Sequence, residues 1–344
     1  MNKIKVDLFS DTVTRPSSEM RQFMAGAEVG DEQLLEDPTV NKLNQMVAEL
    51  LGKEDAIYLP SGVMANQVAF AVHCQPGDEI IMDKTAHPIH YEAGAVAVIS
   101  GASIRPVDGE RGIFQAEQLE AAIRSKAYHE PQSRLVSIEQ TSNLGGGAIW
   151  PLETIREVCQ TAREYGLATH MDGARLLNAV VATGISAAEY AEYFDSVWID
   201  LSKGLGAPVG SVLAGSREFI DKAQYWKKRL GGAMRQAGII AAGGIYALEN
   251  NIERLKEDHE NARYLAENLS KFPEIEIDLE TVETNIVLFK VKGISAAELA
   301  ERLLEKGVRI SLMNKDVLRA VTHLDVSRED IDYVVRAFEE ILKK

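Results

Sequence analysis

Cysteine is scarce in this chain. Its 344 residues include only two cysteines, Cys74 and Cys159, and both lie in predicted helices among apolar neighbours. Two such residues do not make a disulfide framework, and neither a disulfide nor a metal site is expected. We therefore expect two buried free thiols in a reducing compartment, with the cytoplasm as the location.

Positive charge is also in short supply, with 37 Lys and Arg against 52 Asp and Glu and a formal net charge of −15. This balance disfavours nucleic acid and anionic membrane surfaces as partners. No apolar stretch reaches the ~18 residues that a membrane span needs, and residues 1–10 lack the apolar core of a signal peptide. Because the chain as a whole is negatively charged, an anionic cofactor would need nearby positive side chains and backbone N–H donors to bind.

Short apolar segments alternate with helical segments between about residues 38 and 248. This alternation is typical of an α/β domain whose mostly parallel sheet is covered by helices on both faces. Strands are expected at residues 56–59, 79–82, 103–106, 135–139, 168–171, 196–200 and 211–214. Helices are expected at residues 41–51, 67–73, 152–165 and 218–229.

The pattern changes after a long amphipathic helix at residues 251–272. The tail is predicted to hold strands at 274–278, 285–291, 308–311 and 318–321 and helices at 295–306 and 327–343. An α+β unit of about 100 residues is a reasonable size for a second domain. We expect an N-terminal arm (residues 1–15), a large α/β domain (residues 16–248) and a smaller α+β C-terminal domain (residues 249–344).

A lysine directly follows one predicted strand, in the segment Ser202-Lys203-Gly204. Glycines let a bulky ligand approach the backbone, and ligands of α/β proteins bind at the carboxyl edge of the sheet. Desolvation there lowers the pKa of a lysine and makes its amine nucleophilic toward an aldehyde. On local spacing alone, a lysine that binds phosphate or is merely solvated explains the segment equally well.

A carboxylate, Asp172, ends the strand before that one. A pyridoxal cofactor needs an anion beside its pyridine nitrogen, because a protonated ring is the better electron sink. Asp172 would supply this anion, and Arg175 would face the same pocket. Taken alone, Asp172 is explained as a helix N-cap. A strand-end Asp172 followed by a strand-end Lys203 favours the cofactor site.

Two further segments could contribute to such a site. The turn around Ser61 and Gly62 leads into a helix, whose first N–H groups form an anion site for a phosphate, and Ser202 could add a hydroxyl. Most such turns cap helices without binding a ligand. His87, in a predicted loop, could stack on a cofactor ring and relay protons, although an exposed loop histidine is the commoner outcome.

These motifs together resemble the low-specificity L-threonine aldolase family. The likeness includes residues 7–16, 27–31, 36–39, 59–66, 171–176, 201–211, 231–238 and 318–327. It extends nearly from end to end without large insertions. The resemblance implies the α/β fold of the PLP-dependent transferases (aspartate aminotransferase-like, fold type I), with pyridoxal 5′-phosphate bound in the large domain. It also implies a homotetramer, a dimer of dimers in which subunits share active sites.

The resemblance also assigns roles by matching position. Lys203 carries the Schiff base, Asp172 pairs with the pyridinium nitrogen, and His87 stacks on the ring and accepts a proton. The implied cofactor contacts are Gly62, Val63, Met64, His87, Asp172, Arg175, Ser202, Lys203 and Lys228, the last reaching into a neighbouring subunit. The implied substrate contacts are Ser10, Ser142, Arg175 and Arg319, with the arginines suited to an α-carboxylate. The substrate is then a small β-hydroxy amino acid, cleaved to glycine and an aldehyde.

Several positions depart from the family's pattern. The family usually has Arg where this chain has Phe9, Tyr-Gly where it has Leu34 and Leu35, His where it has Ser142, and Gly where it has Ala233. These changes remove polar groups that could touch a β-hydroxyl and add apolar ones. We therefore expect weak threo/erythro selectivity and a relative gain on substrates with larger, apolar β-substituents.

Three functions remain open on the sequence. The first is retro-aldol cleavage of L-threonine, L-allo-threonine or a bulkier analogue such as phenylserine. The second is another PLP-dependent activity on the same fold, such as a β-eliminating lyase, an aminotransferase or a racemase. The third is a non-catalytic PLP-binding protein. The retention of Lys203, Asp172, Arg175 and Arg319 together argues against the third, because a binding protein needs no carboxylate clamp.

Overall fold

The computed structural model describes residues 4–342. The strands are β1 (Val6–Leu8), β2 (Asp55–Leu59), β3 (Asp78–Asp83), β4 (Ser103–Val107), β5 (Gln132–Glu139), β6 (Ala168–Gly173), β7 (Ser196–Asp200), β8 (Ser211–Gly215), β9 (Ile275–Glu276), β10 (Ile286–Val291), β11 (Val308–Leu312) and β12 (Val317–Val321). The helices are α1 (Ser18–Ala25), α2 (Pro38–Leu51), α3 (Gly62–His73), α4 (His87–His90), α5 (Ala95–Ile99), α6 (Ala116–Ala122), α7 (Leu152–Glu164), α8 (Leu176–Thr183), α9 (Ala187–Ala191), α10 (Arg217–Arg229), α11 (Gly238–Asn250), α12 (Leu255–Leu269), α13 (Ala296–Glu305) and α14 (Arg328–Leu342).

A seven-stranded sheet with the order β2-β8-β7-β6-β5-β3-β4 forms the centre of the larger part of the chain. Strands β4, β3, β5, β6 and β7 are parallel, whereas β8 is antiparallel to both β7 and β2. The predicted α/β fold with a mostly parallel sheet is confirmed. Every residue of β3, β7 and β8 is buried, as expected for strands that helices cover on both faces.

A second, five-stranded sheet has the order β1-β11-β12-β10-β9. Its first strand, β1, comes from the N-terminal segment and pairs in parallel with β11. The sequence analysis predicted no strand there, because three residues show no readable periodicity. A hydrophobic cluster of its own packs under this sheet, with Leu8, Phe289 and Phe338 among its members. We propose that the two sheets are the centres of the two expected domains.

Two helices of the large part begin three or more residues earlier than predicted. Helix α2 begins at Pro38 instead of residue 41, because the Asp37 side chain accepts hydrogen bonds from the N–H groups of Thr39 and Val40. The prediction that a helix begins at residue 67 was wrong. Helix α3 begins at Gly62, where Ser61 Oγ accepts a hydrogen bond from Met64 N–H.

The C-terminal part follows the prediction closely, with shorter elements at its start. Strand β9 has two residues instead of the five predicted at 274–278, and α12 ends at Leu269 instead of residue 272. Ser295 caps α13 and Ser327 caps α14. The N–H of Ser327 donates to Asp330 Oδ2, and the N–H of Asp330 donates to Ser327 Oγ. Within residues 4–342 there is no helix with the length and apolar character that crossing a membrane requires.

Candidate active site

The carboxyl ends of β5, β6 and β7 lie side by side in the large sheet. Glu139, the last residue of β5, is the register partner of Asp172 on β6, and Asp172 lies opposite Trp198 on β7. Lys203 follows the last residue of β7, Asp200, by three positions. The structure therefore brings the strand-end Asp and Lys of the sequence analysis to one edge of the sheet, where α/β proteins bind ligands.

Asp172 is a buried and well-oriented carboxylate, only 2% exposed. Its Oδ2 accepts a hydrogen bond from Asn66 Nδ2 at 2.8 Å and its Oδ1 accepts one from Ala174 N–H at 3.0 Å. Burial raises the pKa of Asp172, while the nearby His87 and Lys203 act to lower it. The N-cap of α8 is Arg175, so Asp172 is not the simple helix cap that the sequence also allowed.

Asn66 on α3 connects several groups of this region. Its Oδ1 accepts a hydrogen bond from Trp198 Nε1 at 2.7 Å and lies 3.2 Å from His170 Nε2. Its Nδ2 donates both to Asp172 and to Glu92 Oε1, each at 2.8 Å. One buried amide thus fixes two carboxylates relative to each other.

Lys203 lies at the open side of this group, with its side chain 16% exposed. Its Nζ is 3.4 Å from Asp200 Oδ2 and 5.9 Å from the centroid of the Trp198 ring. The adjacent Ser202 donates its hydroxyl to Asp200 Oδ1 at 2.8 Å. Thr14 Oγ1 donates to Lys203 O at 2.9 Å, so a residue from the N-terminal segment holds the backbone of the lysine in place.

The N-terminus of α3 has N–H groups that could bind an anion. Gly62 and Val63 occupy the first helical positions, whose N–H groups have no partner within a helix. Met64 N–H is already bonded to Ser61 Oγ. A Cβ added to Gly62 would lie 2.4 Å from the Trp198 ring, so only glycine fits here. Within residues 4–342, two of the three predicted phosphate contacts therefore keep an N–H without a hydrogen-bond partner.

His87 begins the short helix α4, and its imidazole is 31% exposed. Its Nδ1 is 2.9 Å from Glu92 Oε1, and its backbone N–H donates to Glu139 Oε2 at 3.0 Å. Burial lowers the pKa of His87, but the hydrogen bond to Glu92 and the charge of Asp172 outweigh it, so the pKa is raised. Burial and the charge of Asp172 raise the pKa of Glu139 to about 7.

Arg175 is buried and already paired. Its Nε and Nη2 donate to the two oxygens of Asp11 at 2.8 and 2.7 Å, and Asn285 Nδ2 donates to Asp11 as well. Burial would raise the pKa of Asp11, but the charge of Arg175 wins and holds it well below its usual range. Ser10 lies beside this pair, since its Oγ is 3.4 Å from Asp11 Oδ1. Arg175 retains Nη1, which donates to no residue of the range 4–342.

Arg319, on β12 of the small sheet, is 8% exposed and incompletely paired. Its Nη1 donates to Asn143 Oδ1 at 2.7 Å and its Nη2 to Phe9 O at 3.3 Å. Its Nε is buried without a hydrogen-bond partner among residues 4–342. Burial and the charge of Arg175 lower the pKa of Arg319. The two arginines bind residues two positions apart in the N-terminal segment, Phe9 and Asp11.

Ser142 lies inside the turn that follows β5. Its Oγ accepts a hydrogen bond from Gly145 N–H at 3.2 Å, and the residue is 3% exposed. Gly112 packs directly against it, because a Cβ there would lie 2.1 Å from Ser142 Oγ. Asn143, the next residue, contacts Arg319, so this turn borders the arginine even though the hydroxyl of Ser142 is bonded within the turn.

Lys228 lies apart from the other predicted site residues. It is exposed near the C-terminal end of α10, and its Nζ donates to Gln33 Oε1 at 2.6 Å. It borders a groove of about 940 Å³ that is also lined by Leu35 and Ala233. Leu34 and Leu35 are 66% and 65% exposed, and Leu35 has a φ of 60°.

The sequence analysis missed four residues that hold the site together. Glu139 ends β5 in the same way as Asp172 ends β6, so the strand-end signal could have identified it. Asn66 and Asp11 lie in segments that carry the resemblance but were given no role, and Glu92 was given none either. Several of their partners are far away in sequence, up to 274 positions for Asp11 and Asn285.

Comparisons with known proteins agree with one another. The model of the beta-eliminating lyase family matches residues 7–292. The chain is 44% identical to the low specificity L-threonine aldolase of Escherichia coli K12, over 98% of this chain and 100% of that protein. It superimposes on Leishmania major threonine aldolase with a TM-score of 0.85 at 18% identity, covering 98% and 99% of the two chains. A high-resolution structure of SPT with PLP has a TM-score of 0.74 at 17% identity, covering 97% and 86%.

Proposed function

Because the chain belongs to the beta-eliminating lyase family and, within it, to the low-specificity L-threonine aldolases, we propose that it cleaves a β-hydroxy-α-amino acid to glycine and an aldehyde, using pyridoxal 5′-phosphate. Its fold is fold type I of the PLP-dependent enzymes. One observation supports the proposal above others. Arg319, a buried and incompletely paired arginine, and Arg175 both bind the segment of Phe9 to Asp11, and two such guanidinium groups are suited to an amino acid's carboxylate.

The residues at the sheet edge fit this cofactor. Lys203 offers an amine for the cofactor's aldehyde, and Asp172 offers a buried carboxylate that would keep a proton on the pyridine nitrogen. Gly62 and Val63 offer N–H groups at a helix N-terminus for the phosphate. When bound, the cofactor withdraws electrons from the Cα–Cβ bond of the substrate, which no side chain of the protein could do.

The protein's own residues would orient the substrate and move its proton. The guanidinium of Arg319 would bind the α-carboxylate, and the remaining donors of Arg175 would add a second contact. His87 would accept the proton of the β-hydroxyl at Nε2, directly or through a water molecule. Fixing Cα in this way aligns the bond that breaks and lowers the entropic part of the barrier.

The test of this proposal is an analysis of products from purified protein incubated with L-threonine, L-allo-threonine and phenylserine. We expect glycine and the matching aldehyde in equal amounts. The family model's name makes β-elimination the second candidate, and from threonine it would give 2-oxobutanoate and ammonia. Finding those products without glycine would overturn the proposal. The wild-type protein has Phe9, Leu34, Leu35 and Ser142 at positions where the family usually has Arg, Tyr, Gly and His. We therefore expect its kcat/KM for phenylserine to exceed its kcat/KM for threonine.

We also propose that the functional unit is at least a dimer and is a homotetramer. Lys228 is exposed, beside the groove that Leu35 and Ala233 line, and makes no contact with the other predicted site residues of its own chain. In this proposal Lys228 serves the phosphate site of a second subunit, in an assembly with closed symmetry. An active monomer in analytical ultracentrifugation at assay concentration would contradict this.

A further inference from the structure

A fully buried carboxylate, Glu92, lies behind His87. Its side chain has no solvent exposure, and it accepts three hydrogen bonds. Asn66 Nδ2 and His87 Nδ1 reach its Oε1 at 2.8 and 2.9 Å, and Gln67 Nε2 reaches its Oε2 at 2.6 Å. An ionised carboxylate can only accept hydrogen bonds, so the shared proton belongs on His87 Nδ1.

The backbone of His87 is held as firmly as its ring. Its N–H donates to Glu139 Oε2, and Pro88 follows it within α4. The Tyr91 ring packs beside the imidazole, with centroids 5.3 Å apart. No residue in the range 4–342 forms a hydrogen bond with His87 Nε2. In the neutral ring with a proton on Nδ1, this free Nε2 carries the lone pair.

We propose that Glu92 is a positioning residue that fixes the orientation and the tautomer of His87, so that Nε2 is the nitrogen open to accept a proton. The catalytic consequence of this positioning rests on the proposed function, whereas the tautomer does not. Because Asn66 Nδ2 also binds Asp172, the same network holds His87 in a set position relative to the carboxylate proposed for the cofactor's ring nitrogen.

Charged groups around His87 come from three elements. Glu92 follows its own helix, Asp172 lies on β6 and Glu139 ends β5, and together they favour the protonated ring against the effect of burial. Lys203 faces Asp172 and offsets part of that charge. Removing the charge of Glu92 should therefore lower the pKa of His87. The acid limb of the kcat/KM profile, which requires a neutral base, should then move to lower pH.

Two substitutions separate the charge of Glu92 from its role as an acceptor. Glu92→Gln keeps an oxygen toward Nδ1, and its amide can be satisfied if Gln67 turns its unpaired Oε1 toward it. This variant should keep the tautomer and shift the acid limb. Glu92→Leu removes the acceptor, so His87 should take the Nε2–H form that free histidine favours. Its kcat should fall by about 10²-fold with little change in KM.

The readout that does not depend on activity is NMR of the ¹⁵N-histidine-labelled holoenzyme, with His87 assigned by its loss in His87→Asn. Two internal references are present, because His90 Nε2 bonds to Lys84 O and His323 Nε2 to Asp7 O, so both must show the Nε2–H form. Glu79→Leu is the matched control. Glu79 is a buried carboxylate near the start of β3 that pairs with Arg124.

We expect wild-type His87 to show the Nδ1–H form, Glu92→Leu to show the Nε2–H form, and Glu79→Leu to leave both the signal and the acid limb unchanged. An Nε2–H form in the wild type, or no change in Glu92→Leu, would overturn the positioning role. A changed tautomer with unchanged kcat would overturn the claim that Nε2 accepts the proton. A wild type that forms no glycine contradicts the proposed function instead, and the NMR comparison would still test Glu92.

Discussion

Arg319 shows how a single buried residue can indicate a substrate group. A guanidinium with an unpaired Nε inside a protein is unfavourable unless a ligand completes its hydrogen bonds. Arg319→Lys keeps the positive charge but loses the planar fork that matches a carboxylate. We expect KM for the amino acid to rise about tenfold or more, since a hydrogen bond to a charged group contributes about 1.5–3 kcal/mol.

The measurement for Arg319→Lys is steady-state kinetics with two substrates that share the α-carboxylate, threonine and phenylserine. Both KM values should rise by the same factor, because the substitution acts on the shared group. Arg124→Lys, which affects the partly exposed ion pair with Glu79 on β3, is the control and should leave both values unchanged. An effect on one substrate only would assign Arg319 to the β-substituent.

At the residue scale, the sequence predicts the groups that would touch cofactor or substrate better than the groups that hold them. Lys203 and Asp172 could be found because each follows a strand, and strand ends of a parallel sheet meet at one edge. Glu92 and Asn66 act through contacts across space, with Asn66 and Asp172 106 positions apart. No local pattern encodes such a partnership, so these residues became visible only in the fold.

At the scale of elements, one side chain holds the ends of two helices. Asp37 is fully buried and caps α2 by accepting from the N–H groups of Thr39 and Val40. Its other oxygen accepts from Gly238 N–H, at the start of α11, and from Gly30 N–H. Asp37→Ala leaves all four donors without their partner. The free energy of unfolding should fall by roughly 3 kcal/mol, more than the ~1 kcal/mol of an ordinary cap.

Urea unfolding of Asp37→Ala against Ser216→Ala checks this expectation. Ser216 caps only α10, through a single hydrogen bond to Phe219 N–H, and therefore measures the cost of one ordinary cap. Equal losses in the two variants would show that Asp37 contributes no more than a single cap.

Helices and strands with a strong local sequence pattern have bounds close to the predicted ones. Elements that depend on distant contacts were missed or misplaced by the prediction. The buried apolar strands of the large sheet lie within one to three residues of their predicted bounds. Strand β1 was missed because its pairing with β11 joins positions about 300 residues apart. The start of α3 was misplaced because Gly62 has a low helix propensity, which the packing of Trp198 against it overrides.

At the scale of the whole molecule, buried titratable groups give stability a pH dependence of mixed sign. Burial lowers the pKa of His73 and of His259 to about 4, so the unfolded chain binds more protons than the folded one between pH 6.5 and 4. Each of these histidines therefore reduces stability as pH falls through that window. Glu139 and Asp258, with pKa values raised to about 7 and about 6, act oppositely and reduce stability as pH rises.

His259→Gln isolates one of these contributions, because glutamine can still accept the hydrogen bond from Asn178 Nδ2. The difference in unfolding free energy between this variant and the wild type should shift in favour of the variant as pH falls below 6.5. The expected shift is about 1.4 kcal/mol per pH unit at most. His129→Gln, at an exposed site, is the control and should show no such shift. A pH-independent difference for His259→Gln would contradict the account.

The central claim, that the strand ends around Lys203 form a pyridoxal-phosphate site, is tested most directly by locating the covalent attachment. Borohydride reduction of the holoenzyme followed by peptide mass spectrometry should find the pyridoxyl group on Lys203, with Lys203→Ala keeping its fold but losing the adduct and the activity. Lys227 is the competing candidate, because it is also buried and burial lowers its pKa to about 7. An adduct on Lys227, or on any lysine other than Lys203, would contradict the assignment of the active site.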